Sequence, residues 1–362
     1  MKRVCIVDYD FSVCGGVERV TAVLANALAE HYEVYLLSIC MGGDEKAFWL
    51  DERVKYTVIL DKVDRLRYQR KKLKPQIGEF FVKNCIDIAI LQGNYTGFLV
   101  STTVKKGHTK LVFVDHGALM NQWSQKDIRL IRWLAAKRCE ATAVLTEQSA
   151  QAYRKKFHLK SPRVRCIYNW VEPELGKSKG YDAQSKRIIS AGRFGPEKGF
   201  ERLIEVFARV VKKHPDWQLD IFGDGERKEA VEALIKKNGL EENVQLPGMV
   251  NDLGKRYGDY AMYVLPSDRE GMPLVLLEAK ANLLPIVSFD IMTGPAEIIN
   301  DGVDGILIQP YDIDKMAEAV CGLIEDKELR QSMSDHSQDN MEKFSKAAIL
   351  KQWMKLIEEL TN

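Results

Sequence analysis

Residues 3–38 read RVCIVDYDFSVCGGVERVTAVLANALAEHYEVYLLS, and this stretch decides the fold. Arg3–Asp8 is a short apolar run rich in β-branched residues, which is typical of a buried parallel strand. A glycine-containing loop follows, Val17–Ala29 carries apolar residues at helical spacing, and Glu33–Ser38 is a second apolar run. A strand, a helix and another strand in this order predict an α/β protein built on a parallel sheet.

The same rhythm continues along the chain of 362 residues, whose length suits about two domains. In the first half the further predicted strands are Ile86–Leu91, Lys110–Asp115, Ala141–Leu145 and Val164–Tyr168. In the second half the predicted strands are Arg187–Ala191, Gln218–Phe222, Val244–Leu246, Met262–Pro266, Pro285–Phe289 and Gly305–Ile308, and the predicted helices are Phe200–His214, Lys228–Asn238, Leu274–Ala281 and Ile313–Asp326.

The polar stretch Pro173–Arg187 separates the two halves and is interpreted as a linker. We therefore predict two Rossmann-like, doubly wound domains, residues 1–175 and 176–345, that face a cleft. The amphipathic segment Ala347–Leu360 predicts a last helix, within residues 346–362, that returns to the first domain. Ligands of such sheets bind beyond the carboxyl ends of the strands.

Charge is divided unevenly between the halves. Residues 1–175 hold 28 Lys and Arg against 19 Asp and Glu, whereas the remainder holds 25 against 32.

The seven cysteines are scattered without a C-x-x-C pair, which argues against a disulfide framework or a zinc site and indicates a reducing cytoplasm. The apolar run at the N-terminus is too short for a signal peptide. No apolar run approaches the roughly 18 residues of a membrane span, so any membrane contact is expected to be peripheral.

Two carboxylates stand eight positions apart in SDREGMPLVLLEAKA, residues 267–281. Glu270 precedes a predicted helix, Gly271 permits close approach of a ligand, and Pro273 suits a first helical position. The N-terminus of that helix favours an anion such as phosphate. Glu278 lies two turns further on, on roughly the same face. The pair is able to accept hydrogen bonds from two hydroxyl-rich parts of one ligand, but spacing alone favours the alternative, in which Glu270 compensates the helix dipole and Glu278 forms a salt bridge.

Two cations lie in the loop SAGRFGPEKGF, residues 190–200, directly after a predicted strand. Arg193 offers a bidentate fork and Lys198 a point charge, which together suit a diphosphate leaving group. The alternative is a pair of solvated cations, with Lys198 paired to Glu201.

Three further loops follow predicted strands. Gly223 lies in the turn FGDGE, Gly15 and Gly16 lie in CGGVE before the first helix, and His116 follows a strand in VDHG. The glycine pair exposes amides at a helix N-terminus, but the chain has no G-x-G-x-x-G, so nicotinamide binding loses its main support. An ordinary turn and a structural histidine are the alternatives.

Lys62–Lys74, KVDRLRYQRKKLK, carries seven cations interleaved with Val63, Leu66 and Leu73. Such a segment fits an anionic membrane surface, and a solvated helix face or a mobile loop fits it at least as well. Nucleic acid is disfavoured because the segment lacks an aromatic stacking platform.

Taken together, these residues resemble the retaining glycosyltransferases of family 4, which have the GT-B fold. The resemblance covers nearly the whole chain, is strongest over residues 188–308, and has the Glu270…Glu278 pair as its most specific signature. It implies that Arg193 and Lys198 grip a diphosphate, that Glu270 binds the donor sugar with the amides of Gly271 and Met272, and that Glu278 binds the ribose. Further implied contacts are phosphate at the Leu274 and Val275 amides, the base at Met249 and Val250, the diphosphate at Gly16 and the sugar at His116.

The chain departs from the family pattern at three positions. Leu283 stands where glycine is common, so we expect the helix to rely on Asn282 for its end. Lys280 stands where methionine is common, which predicts a wetter face. Pro273 removes one amide donor. The D-x-D triplets Asp8–Asp10, expected in the opening loop, and Asp312–Asp314, expected to cap a helix, are not predicted to bind metal.

The resemblance implies an enzyme that needs no metal or other cofactor. The scattered cysteines and the basic segment Lys62–Lys74 predict that it is cytoplasmic and peripheral on the inner face of the membrane. It would transfer a hexose or N-acetylhexosamine, with retention, from a nucleotide sugar such as a UDP-sugar to a polysaccharide or lipid-linked saccharide. The basic domain of residues 1–175 would bind the acceptor and the acidic domain of residues 176–345 the nucleotide sugar. The segment SFDIMTGPAEII is similar to members that build bacterial surface polysaccharides. The alternatives are a nucleotide-sugar epimerase of the same fold and a non-catalytic binding subunit.

Overall fold

A computed structural model describes residues 1–62, 66–105, 107–172, 180–250 and 253–362, without the side chains of residues 66–70. The chain divides into two compact units. Unit 1 comprises Met1–Asn169 and Ala347–Asn362, and unit 2 comprises Trp170–Lys346. Residues 173–179 of the predicted linker lie outside the described residues.

Unit 1 is built on a parallel sheet of seven strands in the order β3-β2-β1-β4-β5-β6-β7. The strands are Arg3–Asp10 (β1), Glu33–Cys40 (β2), Lys55–Leu60 (β3), Ile88–Gln92 (β4), Lys110–Asp115 (β5), Ala141–Val144 (β6) and Val164–Cys166 (β7). The helices are Gly16–Leu28 (α1), Leu66–Lys83 (α2), Asn94–Ser101 (α3), Lys126–Arg138 (α4), Glu147–Phe157 (α5) and, from the end of the chain, Lys346–Thr361 (α13).

The last helix packs on unit 1, as predicted. Glu358 of α13 accepts hydrogen bonds from Lys2 at 2.5 Å and from the Tyr32 hydroxyl at 3.1 Å. Glu359 forms an ion pair with Arg165 at 2.6 Å. These polar contacts join the C-terminal helix to elements at the start and end of the first unit.

Unit 2 repeats the architecture with a parallel sheet of six strands in the order β10-β9-β8-β11-β12-β13. The strands are Arg187–Ala191 (β8), Gln218–Phe222 (β9), Val244–Gly248 (β10), Met262–Leu265 (β11), Ile286–Phe289 (β12) and Gly305–Ile308 (β13). The helices are Phe200–Lys213 (α6), Lys228–Lys237 (α7), Leu253–Arg256 (α8), Leu274–Ala281 (α9), Pro295–Ile298 (α10), Ile313–Glu325 (α11) and Lys327–Asp335 (α12). The order of the strands reverses between β8 and β11, and such a switch point opens a crevice at the carboxyl ends of the strands.

The helices bury the stripe that their sequence pattern predicts. In α6, for example, Phe200, Leu203, Ile204, Phe207 and Val210 recur at helical spacing, and all are buried in the core of unit 2. In the described part of the chain, no helix is both long and apolar enough to cross a bilayer.

Most predicted elements are confirmed to within two residues, but one strand was missed and two local features differ from the expectation. The strand β3 was not predicted, because its residues are only partly buried and Lys55 and Thr57 are exposed. Asp8–Asp10 lies at the end of β1, where Thr21 donates to Asp8, rather than in the following loop. Leu73 of the basic segment packs in the core of unit 1, so it is not available to a membrane; Val63 lies outside the described residues.

The end of α9 uses Asn282 as its C-cap, as expected, and also uses Leu283, which was not expected. Leu283 itself adopts the left-handed conformation, with φ +64°, and the Leu284 amide donates to Ala279 O at 3.0 Å. Asn282 keeps φ −103° and donates its side-chain amide to Glu278 O. A leucine therefore occupies the position where helices usually place glycine, at a local conformational cost of about 1–2 kcal/mol.

The expectation that Lys280 makes one face of α9 wetter was wrong. The Lys280 side chain is only 1% exposed and its ammonium group forms an ion pair with the equally buried Asp304 at 2.6 Å. It also donates to Ile298 O at 3.1 Å. Asp304 in turn accepts from the Asn300 amide, so both buried charges are paired.

Replacing Lys280 with methionine is expected to destabilise the protein by about 3–5 kcal/mol, because Asp304 would be left as a buried, unpaired carboxylate. Urea unfolding followed by circular dichroism measures the change. The matched control is Lys236→Met, at an exposed position on α7. A Lys280→Met protein within about 0.5 kcal/mol of the wild type, as for a surface change, would contradict the importance of this pair.

Candidate functional site

The carboxylate Glu270 and the cation Lys198 meet at the switch point of unit 2. Lys198 ends the short turn Pro196–Lys198 after β8, and Glu270 lies in the loop after the neighbouring strand β11. Lys198 Nζ donates to Glu270 Oε1 at 2.8 Å, and the two side chains are 19% and 10% exposed. A largely desolvated ion pair thus stands where sheets of this topology bind their ligands.

Glu270 is held from two further sides. The Ser267 hydroxyl donates to Glu270 Oε1 at 2.7 Å, and the Thr293 hydroxyl donates to the backbone oxygen of Glu270 at 2.6 Å. These contacts fix both the carboxylate and its peptide group, which is how a ligand-binding side chain is preorganised. Sequence reasoning missed Ser267 and Thr293, because a small hydroxyl residue in a loop carries no spacing signal.

Arg193 lies in the same loop as Lys198 but does not join the pair. Its side chain is 76% exposed, and its guanidinium lies 3.4 Å from Glu197. Such an exposed pair contributes little stability, so the guanidinium can exchange this partner for an anion at small cost.

Glu278 is placed differently from Glu270, although both belong to the same sequence signature. It lies on α9, is only 5% exposed and accepts a hydrogen bond from the buried Tyr257 hydroxyl at 2.8 Å. Tyr257 was not predicted from the sequence. The contact to a ribose remains a prediction for Glu278, whose carboxylate is satisfied in this structure in part by a phenol.

The loop between Glu270 and α9 contains the remaining backbone donors. Pro273 is the N-cap of α9, so Leu274 and Val275 supply the first amides of the helix. The first amides of a helix have no acceptor within the helix and point towards an anion placed at its N-terminus. Gly271 and Met272 precede the cap, and Met272 is buried.

Gly223, the first glycine of the FGDGE turn, is required for the packing of the protein backbone. Gly223 has φ +129°, and a Cβ atom there would overlap the backbone oxygen of Gly192 in the loop after β8. Its amide donates to Gly248 O at 2.9 Å. Gly223 therefore packs the loops after β8, β9 and β10 together, and the exposed Met249 and the half-buried Val250 follow β10 at the same edge.

In unit 1 the predicted glycine pair begins α1. Gly15 is the N-cap of the helix and Gly16 its first residue. The Glu18 side chain turns back towards the start of the helix, and its carboxylate lies so close to Gly15 that a Cβ atom there would overlap it. Burial, followed by the nearby charge of Asp8, raises the pKa of Glu18 to about 7. Sequence reasoning missed this carboxylate beside the amides that are predicted to face a diphosphate.

His116 follows β5 at the carboxyl edge of the same sheet. Its Nε2 lies 2.5 Å from Gln92 Oε1, at the end of β4. The preceding residue, Asp115, is buried, forms an ion pair with Arg132 and accepts a hydrogen bond from the Tyr153 hydroxyl at 2.6 Å. Burial lowers the pKa of His116 to about 4, so its imidazole is neutral near pH 7 and acts through hydrogen bonds rather than charge.

Two family models match the chain, one on each half. The model described as "Glycosyltransferase Family 4" matches residues 14–175, and the model described as "Glycosyl transferases group 1" matches residues 171–340. The chain belongs to the family 4 glycosyltransferases of GT-B fold. It is therefore a transferase whose two parallel-sheet units are both matched by glycosyltransferase models.

Full-length relatives agree with this assignment. An uncharacterized glycosyltransferase of Haemophilus influenzae is 29% identical over 98% of this chain and 99% of its own length. The amylovoran biosynthesis glycosyltransferase AmsD of Erwinia amylovora is 26% identical over 98% of this chain and 99% of its own length. Among solved structures, a TarM variant of Staphylococcus aureus, in complex with Fondaparinux, alpha-GlcNAc-glycerol and UDP, superposes with a TM-score of 0.82 at 18% identity, covering 99% of this chain and 100% of that chain.

The His116 imidazole is expected to stay neutral down to about pH 5, well below the pKa of about 6.5 of an unperturbed histidine. A lowered pKa means that the folded state resists protonation. The resulting stabilisation is complete above pH 6.5 and is lost as the pH falls towards 4. NMR titration of the histidine side chains, with His116→Gln to assign the resonance, measures this. Titration of His116 near pH 6.5 would contradict the burial argument.

Proposed function

We propose that the protein transfers a hexose or N-acetylhexosamine from a UDP-sugar to a saccharide acceptor of cell-envelope glycan synthesis, with retention of anomeric configuration. The observation that carries the proposal is the Lys198–Glu270 pair at the switch point of unit 2. Lys198 offers a cation for a diphosphate, and Glu270 offers a fixed carboxylate for sugar hydroxyls. The two groups are hydrogen-bonded to each other at 2.8 Å.

The donor would bind along unit 2. Lys198 and, after leaving Glu197, Arg193 would bind the diphosphate together with the first amides of α9. Glu270 would accept hydrogen bonds from the sugar, and Glu278 from the ribose. Since these cations and amides would stabilise the charge that grows on the leaving diphosphate, we propose that transfer needs no metal ion.

The comparisons support the donor and acceptor classes. The TarM structure contains UDP and an alpha-linked GlcNAc compound. An alpha product from an alpha-linked UDP-sugar fits retention, which the family resemblance also implies. AmsD is named for the biosynthesis of amylovoran. These properties belong to the relatives, and we extend them to this chain as a proposal only.

We further propose that the protein works at the cytoplasmic face of the membrane and contacts it through charge. In the described part of the segment Lys62–Lys74, Lys71 and Lys72 are exposed, whereas Leu73 is in the core. Lysines near an anionic bilayer surface contribute about 1 kcal/mol each, without insertion of apolar side chains.

Glu270→Gln is expected to lower the rate of sugar transfer by about 100-fold or more, because the neutral amide binds Lys198 and the sugar hydroxyls far more weakly than a carboxylate does. The measurement is turnover of UDP-sugars with saccharide acceptors, with circular dichroism to verify folding. The control is Glu229→Gln, an exposed carboxylate on α7. Near-normal turnover of a folded Glu270→Gln protein would refute the assignment.

A further inference from the structure

The segment that follows β2 borders an open cavity that the proposed donor site does not use. Met41, residues 44–50 (DEKAFWL) and Tyr56 of β3 line it, and its volume is about 480 Å³. Pockets for small ligands measure about 300–1,000 Å³. All the lining residues belong to unit 1.

Hydrogen bonds fix this segment to the loop between β1 and α1. The Ala47 amide donates to Phe11 O at 3.0 Å, and the Gly43 amide donates to the Ser12 hydroxyl at 2.8 Å. The Gly42 amide donates to the Asp10 carboxylate. Gly42, Gly43 and Ala47 therefore lie at the carboxyl edge of the sheet, next to the loop that contains Gly15 and Gly16. The pocket extends from there along unit 1 to Trp49, whose backbone oxygen accepts a hydrogen bond from Asn26 in the second half of α1.

Three of the nine residues that line the cavity are aromatic, namely Phe48, Trp49 and Tyr56. Trp49 is 72% exposed, which is unusual for so large an apolar side chain. Tyr56 is half-buried, its ring packs at 5.9 Å from that of Phe11, and Lys46 Nζ lies 5.6 Å from the Tyr56 ring centroid. The C–H faces of pyranose rings pack on such aromatic surfaces, whose edges still permit hydrogen bonding.

The charged groups of the wall point to an uncharged ligand. Asp44 and Glu45 are exposed carboxylates, which only accept hydrogen bonds, and hydroxyl groups donate to them readily. With Lys46 as the cation of this wall, the local charge is negative, which disfavours phosphates and other polyanions.

We propose that this cavity binds the neutral saccharide part of the acceptor, with Trp49 as the stacking surface and Asp44 and Glu45 as hydroxyl acceptors. The inference rests on the proposed function and deepens it, because it assigns the acceptor to named residues of unit 1. Trp49 would be a binding residue without a part in the donor site.

The test uses ¹⁹F NMR of the full chain labelled with 5-fluorotryptophan, with Trp49→Phe to assign the resonance. The probes are the neutral trisaccharides maltotriose, cellotriose and N,N′,N″-triacetylchitotriose, with trigalacturonate as the anionic comparison. We expect at least one neutral trisaccharide to shift the Trp49 resonance and trigalacturonate to leave it unchanged. Trp49→Ala should raise the dissociation constant of that neutral probe by about ten-fold or more, as truncation of a binding aromatic does.

The matched control is Trp133→Ala, which removes another exposed tryptophan of unit 1, on α4, and should leave the saccharide affinity unchanged. Misfolding of Trp49→Ala is not expected, because Asn26 contacts the backbone of Trp49, which the substitution retains.

The thermal stabilisation by UDP is measured on the same proteins. If UDP stabilises wild type and Trp49→Ala equally but no neutral trisaccharide shifts Trp49, the cavity inference is overturned while the proposed function stands. A shift by trigalacturonate as large as that by the neutral probes also overturns it. Absence of any stabilisation by UDP would instead count against the proposed function.

Discussion

The hydrogen-bonded ion pair between Lys198 and Glu270 is the contact on which the account of unit 2 depends. It joins the loops after β8 and β11, the two strands between which the order of the sheet reverses. Ser267 and Thr293 hold Glu270, and Gly223 allows the loops after the neighbouring strands to pack closely. The fold thus places a positive and a negative group side by side at an edge rich in backbone donors. A nucleotide sugar needs both, since its diphosphate is anionic and its hexose is rich in hydroxyls.

Much of this was predictable from the sequence. The apolar runs identified nearly all strands of both sheets, because parallel strands are buried on both faces and leave a continuous signal. The strand β3 was not predicted, because it lies at the edge of its sheet and carries the exposed Lys55. Loop residues after strands identified Lys198 and Glu270, since topology brings the carboxyl ends of neighbouring strands together.

Side-chain partners were not predictable in the same way. In the sequence Lys280 is an ordinary helical lysine. In the structure it is buried and forms an ion pair with Asp304, which lies 24 positions further along the chain. Glu278 accepts a hydrogen bond from Tyr257, and the Glu18 carboxylate lies against Gly15 at the start of its own helix. No spacing in the sequence indicates either contact. The cavity after β2 was not predictable for the same reason, because Trp49 and Tyr56 belong to a loop and an edge strand that meet only in the folded unit.

The central claim is that Lys198 binds the diphosphate of a uridine nucleotide, and calorimetric titration of UDP tests it most directly. Lys198→Met should weaken UDP binding by about 10- to 100-fold, as the loss of a charge-assisted hydrogen bond does. Lys237→Met, at an exposed position of α7, should bind UDP like the wild type. An unchanged affinity for UDP in a folded Lys198→Met protein, or a wild type that binds GDP and not UDP, would contradict the account.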